Sequence, residues 1–316
     1  MTQHTTSRSQ EKHGQIPHPL MFLLSWRSLP WYELTSYILM FASAPMLAYG
    51  IIQYDAAQYQ LILFTIIALY SGFFAALIWN DITDADIDMI AHPDRPIPAG
   101  RITPRKFFLI ALIFSASTFI FSYLVSFWCL ILVGGTALFV TFHNKYLKRQ
   151  VPFPAYSEIF TPVQWVIVPI FGYIAVSGSN LLHMLLLVIF TYFADNAHDI
   201  AEGIHDLDGD KKHRVRTYAV SFGENIASYV SFAMFFISGI VALLLVYLGV
   251  FSWVFLFLFL ILWLYTLSYS YQLVKADKKK MKDLGLLVGR KGFNYFLIAY
   301  DLMFVDIVYR LLQYHL

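Results

Sequence analysis

Nine times in 316 residues the chain runs through roughly twenty mostly apolar residues, the length of α-helix that crosses a bilayer core about 30 Å thick. The runs lie near 34–53, 60–79, 107–124, 127–143, 157–177, 181–198, 224–247, 250–272 and 292–313. In hydrocarbon every backbone N–H and C=O must find a partner inside the protein, which leaves helices or a closed barrel. A barrel would alternate apolar and polar residues in segments of about ten, and these runs do not. Only 13% of the residues are charged, against about 25% in an ordinary soluble domain. The expected class is an all-α polytopic membrane protein. The third and fourth runs are separated only by SYLVSFWC, which predicts a tight hairpin. Residues 1–19 are polar, with no apolar core and no small-residue cleavage site. They predict a disordered arm and no cleavable signal peptide, ahead of a single domain over 20–316.

The basic residues test this count. Every lysine and arginine except Arg310 falls in the amino-terminal arm or in an even-numbered junction between runs. Basic loops stay cytoplasmic, so the amino terminus and those junctions are expected inside and the carboxyl terminus outside. The stretch KADKKKMKDL at 275–284 reads as a basic loop that attracts anionic lipid, not as a nucleic-acid site. A lone cysteine, Cys129, excludes an intrachain disulfide and a Cys-rich metal site. No Gly-rich phosphate loop and no Ser/His/Asp constellation is present.

Acidic residues repeat the asymmetry. The junctions after the second and sixth runs hold Asp81, Asp84, Asp86, Asp88 and Asp94, then Asp195, Asp199, Glu202, Asp206, Asp208 and Asp210, eleven of twenty carboxylates. Their spacing, four runs apart and on the same side, suggests two pseudo-repeat halves, about 34–143 and 157–272, with a ninth helix at 292–313. Asp81, Asp84 and Asp88 are spaced i, i+3, i+7, so a continuing helix puts them on one face with Asn80 beside it. Asp195, Asp199, Glu202, Asp206 and Asp210 form a second stripe, weakened by Gly203 and Gly209. A row of like carboxylates repels itself unless protons or cations intervene. Mg2+ prefers one or two carboxylates plus substrate phosphates, so two facing stripes would cage a Mg2+–diphosphate. Arg95 and Arg101 follow the first cluster, and Lys211, Lys212, Arg214 and Arg216 the second, placed to hold an anionic leaving group. Among single residues, His198 reads as a polar residue at a helix end, and His143 with Asn144 as the close of the fourth run. Asp301 and Asp306 are intramembrane carboxylates, functional candidates by default, although Asp306 lies nearer the outer face and reads as structural.

The residues N80-D81-I-T-D84-A-D-I-D88 resemble the Asn-Asp-x-x-Asp-x-x-x-Asp signature of the UbiA-type intramembrane prenyltransferases. R95-P96-I97-P98-A99-G100 is similar to the proline-rich tail that follows it, with Ala99 where Ser is commoner. D206-L-D-G-D210 resembles that family's second motif, Asp199 has a counterpart in one branch, and Y146-L-K148-R149 is similar to a loop element of the same branch. Gly203 departs from the pattern, because many relatives carry an acid there. The resemblance implies nine transmembrane helices ringing a central cavity, capped by two acidic cytoplasmic loops. It implies Mg2+-dependent transfer of an isoprenyl group from an allylic prenyl diphosphate to a small, electron-rich, aromatic acceptor through an allylic cation. Asp81, Asp84, Asp88, Asp206 and Asp210 would then be catalytic, holding metal with Asn80 and Asp199, while Arg95, Lys148, Arg149, Lys211 and Arg214 bind diphosphate. Two other readings fit the same residues. One is a membrane terpene cyclase that uses the metal site without an acceptor. The other is a transporter or divalent-cation channel with acidic mouths.

Overall fold

The computed structural model describes residues 30–83, 85, 89, 93 and 95–315. The expected arm at 1–19 and the candidate ligands Asp84 and Asp88 lie outside the described residues. Within them the regular structure is helical, with no strand. We number the helices α1 (Trp31–Tyr49), α2 (Ala56–Thr83), α3 (Pro104–Val125), α4 (Phe127–Phe142), α5 (Tyr156–Phe160), α6 (Val163–Ala175), α7 (Leu181–His205), α8 (Leu207–His213), α9 (Tyr218–Phe222), α10 (Glu224–Tyr247), α11 (Trp253–Val274) and α12 (Lys278–His315).

Local chemistry sets many of the ends. Thr103 caps α3 by accepting from Lys106 N–H, and Pro104 occupies the first turn, where its missing N–H costs nothing. The hairpin expected at SYLVSFWC closes on one residue. Ser126, in extended backbone, ends α3 through its N–H and begins α4 by accepting from Trp128 N–H at 3.2 Å. Expected and observed boundaries part at the close of the fourth run. His143 caps the α-helical part of α4, as expected, but the chain does not leave the helix there: it continues through a π-helical turn, His143–Leu147, into Lys148–Gln150. An inserted π turn re-aims everything after it, here Lys148 and Arg149. The basic loop expected at 275–284 is also largely helix, since α12 starts at Lys278. Lysine and methionine are good helix formers, and Met281, Gly285 and Val288 bury one face of that segment.

Among the described residues, seven helical segments are long and apolar enough to cross a membrane: α2, α3, α4 through Gln150, α5 with α6, α7, α10 and α11. Leu109, Ile113, Ile120, Trp128, Ile131 and Leu138 on α3 and α4 are exposed, an apolar exterior suited to lipid. Helix α7 is innermost, packed along α10 and α12 and against α6. Each acidic junction joins two helices that lie along one another, α2 with α3 and α7 with α10. Where α12 meets the end of α7, Gly285, Gly289 and Gly292 let the backbones close up. A Cβ at Gly285 would lie 2.7 Å from the Ala201 carbonyl, and one at Gly292 2.7 Å from His198 Cβ.

The middle of the α7, α10, α11 and α12 group holds packed rings: Phe190, Phe235 and Phe259 neighbour the buried Tyr295, and Tyr300 lies against Phe190. A pocket of about 690 Å³ lies elsewhere, between α4 and α6, lined by Trp128, Ile131, Leu132, Tyr173 and Ile174. It belongs to the end of the bundle where α6 hands over to α7, a full helix length from the acidic end of α7.

Candidate active site at two acidic helix ends

At 28 residues, α2 is about 42 Å long at 1.5 Å per residue, so its last turns reach beyond a 30 Å core. Asn80 and Asp81 sit in those turns. Asp81 is buried, and its Oδ1 lies 3.8 Å from Arg95 Nη1. A turn formed by R-P-I-P-A-G follows Arg95 directly. Ala99 N–H donates to the Arg95 carbonyl at 2.9 Å, Arg101 N–H donates to the Pro96 carbonyl at 2.9 Å, and Gly100 takes φ 68°, a conformation that costs glycine little. A predicted metal ligand and a predicted diphosphate clamp are thus brought together as an ion pair.

The second stripe does not run as one helix. Helix α7 ends at His205, the chain bends at Asp206, and α8 restarts at Leu207. Asp206 N–H still donates to the Glu202 carbonyl at 3.1 Å, and Asp210 N–H to the Asp206 carbonyl at 3.0 Å. The bend divides the stripe into two groups. Inside the bundle, His198 Nε2 lies 3.0 Å from Asp195 Oδ1 and its Nδ1 lies 3.5 Å from Asp199 Oδ1. His198 is therefore the buried centre of a carboxylate–imidazole–carboxylate row that opens at Asp199, not a residue at a helix end. Beyond the bend, Asp206 is exposed and Asp210 half-buried. The Asp210 carboxyl is pushed up to about 7, chiefly by burial and then by the like charge of Asp206. Lys148 and a hydrogen bond from Thr217 oppose the rise. Lys148, re-aimed by the π turn, thereby comes within electrostatic reach of a predicted ligand.

Arg149 is half-buried and its Nε has no hydrogen-bond partner, a donor suited to an anion. Lys211 is exposed. Arg214 is exposed too, and ends α8 in left-handed backbone at φ 60°. Outside this region, Asp306 accepts from the N–H and hydroxyl of Ser252, the cap of α11, which is a structural role. Asp301 accepts from Ser36 at 2.7 Å and ties α12 to α1.

One residue at the second corner went unread in the sequence. Glu158, on the short helix α5, is 4% exposed. Its Oε2 accepts from Tyr218 N–H at the start of α9, while its Oε1 is buried without a partner. That oxygen lies against Gly203, where an added Cβ would collide with it. The signal was available: Glu158 is the only charged residue of the fifth apolar run.

Comparison with known proteins places this architecture. A model of the UbiA prenyltransferase family matches residues 23–288. The chain belongs to the UbiA prenyltransferase family. As a family member with several bilayer-length apolar helices, it is a multi-pass integral membrane protein. Among its relatives is the digeranylgeranylglyceryl phosphate synthase of Natronomonas pharaonis, 29% identical over 185 residues, or 56% of this chain and 62% of that protein. The chain thus spans about six tenths of the length of this curated relative. The apo structure of a UbiA homolog from Aeropyrum pernix has a TM-score of 0.65 at 20% identity, over 85% of this chain and 99% of that one. A UbiA homolog from Archaeoglobus fulgidus bound to DMAPP and Mg2+ has a TM-score of 0.53 at 13% identity, over 88% and 96%. These likenesses show the fold. UbiA membership also leaves the transporter and channel readings unsupported.

The donors of this UbiA-family chain suit a hard cation. Asp206, Asp210 and Glu158 offer oxygen at one corner, and Asp81 offers it at the other. Among the described residues no three carboxylate or imidazole groups already enclose a common point. A cation there would take its other ligands from phosphate and water, which is how Mg2+ is commonly held.

Proposed function

We propose that this chain transfers an isoprenyl group from an allylic prenyl diphosphate to a nucleophilic acceptor, with Mg2+ and loss of pyrophosphate. The reading rests on one observation above all. Two acidic helix ends, α2 and α7–α8, each carry a cation beside a carboxylate, Arg95 by Asp81 and Lys148 by Asp210. Successive spanning helices alternate in direction, so both ends face the same side. We also read α1 and the apolar part of α12 as membrane-crossing, which makes nine spans with both acidic ends in the cytoplasm, as the basic residues require.

In this reading Asp81, Asp84 and Asp88, with Asn80, grip one side of a Mg2+–diphosphate, and Asp206 and Asp210, helped by Asp199, grip the other. Bound Mg2+ would neutralise the charge that develops on the leaving phosphate oxygen. Arg95 exchanges Asp81 for phosphate as the cation arrives, so no buried charge is left alone. Lys148, Arg149, Lys211 and Arg214 hold the departing pyrophosphate. Apolar and aromatic walls keep water from the allylic cation until the acceptor attacks. Two acceptor classes are supported: a phenol by the resemblance, and a prenylated glyceryl phosphate by the names of the relatives.

The test is product analysis. Purified protein is given prenyl diphosphates of several lengths, Mg2+, and either a phenol or a prenylated glyceryl phosphate, and products are read by mass spectrometry. An acceptor-plus-prenyl product that vanishes with chelator is expected. A hydrocarbon or terpene alcohol formed equally well without acceptor would favour the cyclase, and no consumption of any prenyl diphosphate would overturn the proposal.

A further inference from the structure

Helix α7 lacks a side chain at the place where its polar stripe turns toward the loop, since position 203 is glycine. The space is not empty. The Glu158 carboxylate, delivered by α5, fills it so closely that even a Cβ at Gly203 would strike Oε1, and Thr217 Cβ would lie 3.8 Å from that Cβ on the other side. Helix α5 is fastened there by three further contacts. Ser157 N–H donates to the Arg216 carbonyl at 3.1 Å, Ala155 N–H donates to Ser221 Oγ at 2.9 Å, and Arg216 Nη1 donates to the Pro152 carbonyl at 3.4 Å.

Only half of the Glu158 carboxylate has a structural use. Oε2 accepts from Tyr218 N–H; Oε1 is buried and unpartnered. The charges of Asp199 and Asp210 both act on it. A fold that needed only an acceptor for Tyr218 N–H would be served by a neutral amide. A second carboxylate oxygen, buried without a donor beside two other acids, is costly as a charge unless a proton or a cation comes to it, and a cation there would displace the proton.

We infer that Glu158 Oε1 belongs to the cation site of the α7–α8 corner, supplying from α5 the acid that Gly203 cannot supply from α7. This deepens the prenyltransferase reading and depends on it. No three carboxylates converge directly among the described residues, and Mg2+ gives up its waters reluctantly. Glu158 therefore acts through the hydration shell of the ion, accepting from a bound water, while Asp206 and Asp210 face the ion itself.

The experiment is a Mn2+ titration of the full-length protein in detergent, read by electron paramagnetic resonance without substrate, with thermal melts in chelator to follow the fold. Glu158→Gln keeps an acceptor for Tyr218 N–H and removes the charge. It is expected to weaken Mn2+ binding about 10- to 100-fold, the range for outer-shell partners of a metal, with a metal-free melt that does not fall. The exchange Glu158→Ala with Gly203→Asp moves the acid to α7, in the volume that Glu158 vacates, and is expected to restore most of the lost binding. Normal Mn2+ binding by Glu158→Gln, in a protein where Asp210→Asn loses it, would reduce Glu158 to a helix cap and overturn the inference. Failure of a folded exchange variant to recover binding would overturn it too. If Asp206→Asn and Asp210→Asn also bind Mn2+ normally, the cation is not at this corner, and the metal assignment of the proposed function falls as well.

Discussion

At the scale of the residue, Arg95 and Asp81 have the most to reveal. Asp81 is 1% exposed and Arg95 22%, so Arg95→Gln removes a cation from beside a buried carboxylate. Breaking a buried pair costs about 3 kcal/mol, less here because Arg95 is partly solvated. The metal-free melt of Arg95→Gln should fall by several degrees, and Mg2+ with pyrophosphate should recover most of the loss by taking the arginine's place. A loss that ligand cannot reverse would make the pair purely structural. Asp210 sets a pH dependence. Burial raises its carboxyl to about 7, so below that pH a cation must displace a proton. Divalent-cation affinity should therefore rise from pH 6 to 8, with a slope approaching tenfold per unit on the acid side. Replacing Lys148 by methionine removes a charge that favours the ionised form and should move the midpoint upward. A titration flat between pH 6 and 8 would contradict this. The candidate acids were legible in the sequence because spacing alone puts carboxylates on a helix face. Their partners were not: the Asp195–His198–Asp199 row follows from burial against α12, and the Glu158–Gly203 contact joins segments 45 positions apart in the numbering.

At the scale of the element, the acid-bearing end of α7 is held by close approach. Gly285, Gly289 and Gly292 form a strip of small residues of the kind that joins membrane helices. Gly285→Val would push a side chain into the Ala201 carbonyl, 2.7 Å from the new Cβ. Overpacking of that sort costs about 1–3 kcal/mol, and the tilt it forces on α7 should lower activity as well as the melting temperature. Gly209 in α8 is the contrasting case. A Cβ there would meet nothing within 4 Å, and the backbone does not take a positive φ. Gly209→Ala should therefore stabilise the helix slightly, by about 0.5 kcal/mol. If both glycines respond alike to substitution, the close-packing account is wrong. Helix existence was readable from apolar periodicity and length, and the α3–α4 hairpin from a single short break. The π turn at His143–Leu147 and the early start of α12 were not. A π turn has no residue signature, and lysines that signal a cytoplasmic loop are equally good helix formers once one face is buried.

At the scale of the whole molecule, the sorting of charge defines the reading. In the topology proposed from the basic junctions, both acidic helix ends lie on one side. Two of the proposed spans, α1 and α12, fall outside the seven helical segments that are apolar enough to stand alone among the described residues. Polar residues that tie them to neighbours, Ser36 with Asp301 and Asp306 with Ser252, lower their hydropathy. The central claim is that the two ends grip one Mg2+–diphosphate together. Pyrophosphate release by Asp84→Asn, Asp206→Asn and the double variant tests it most directly. Each single change should cut turnover by about 100-fold or more, the scale of one lost transition-state charge contact. The double variant should be little worse than either, because groups that act as a unit do not add. Full turnover in either single variant, or losses that simply multiply, would contradict a shared site.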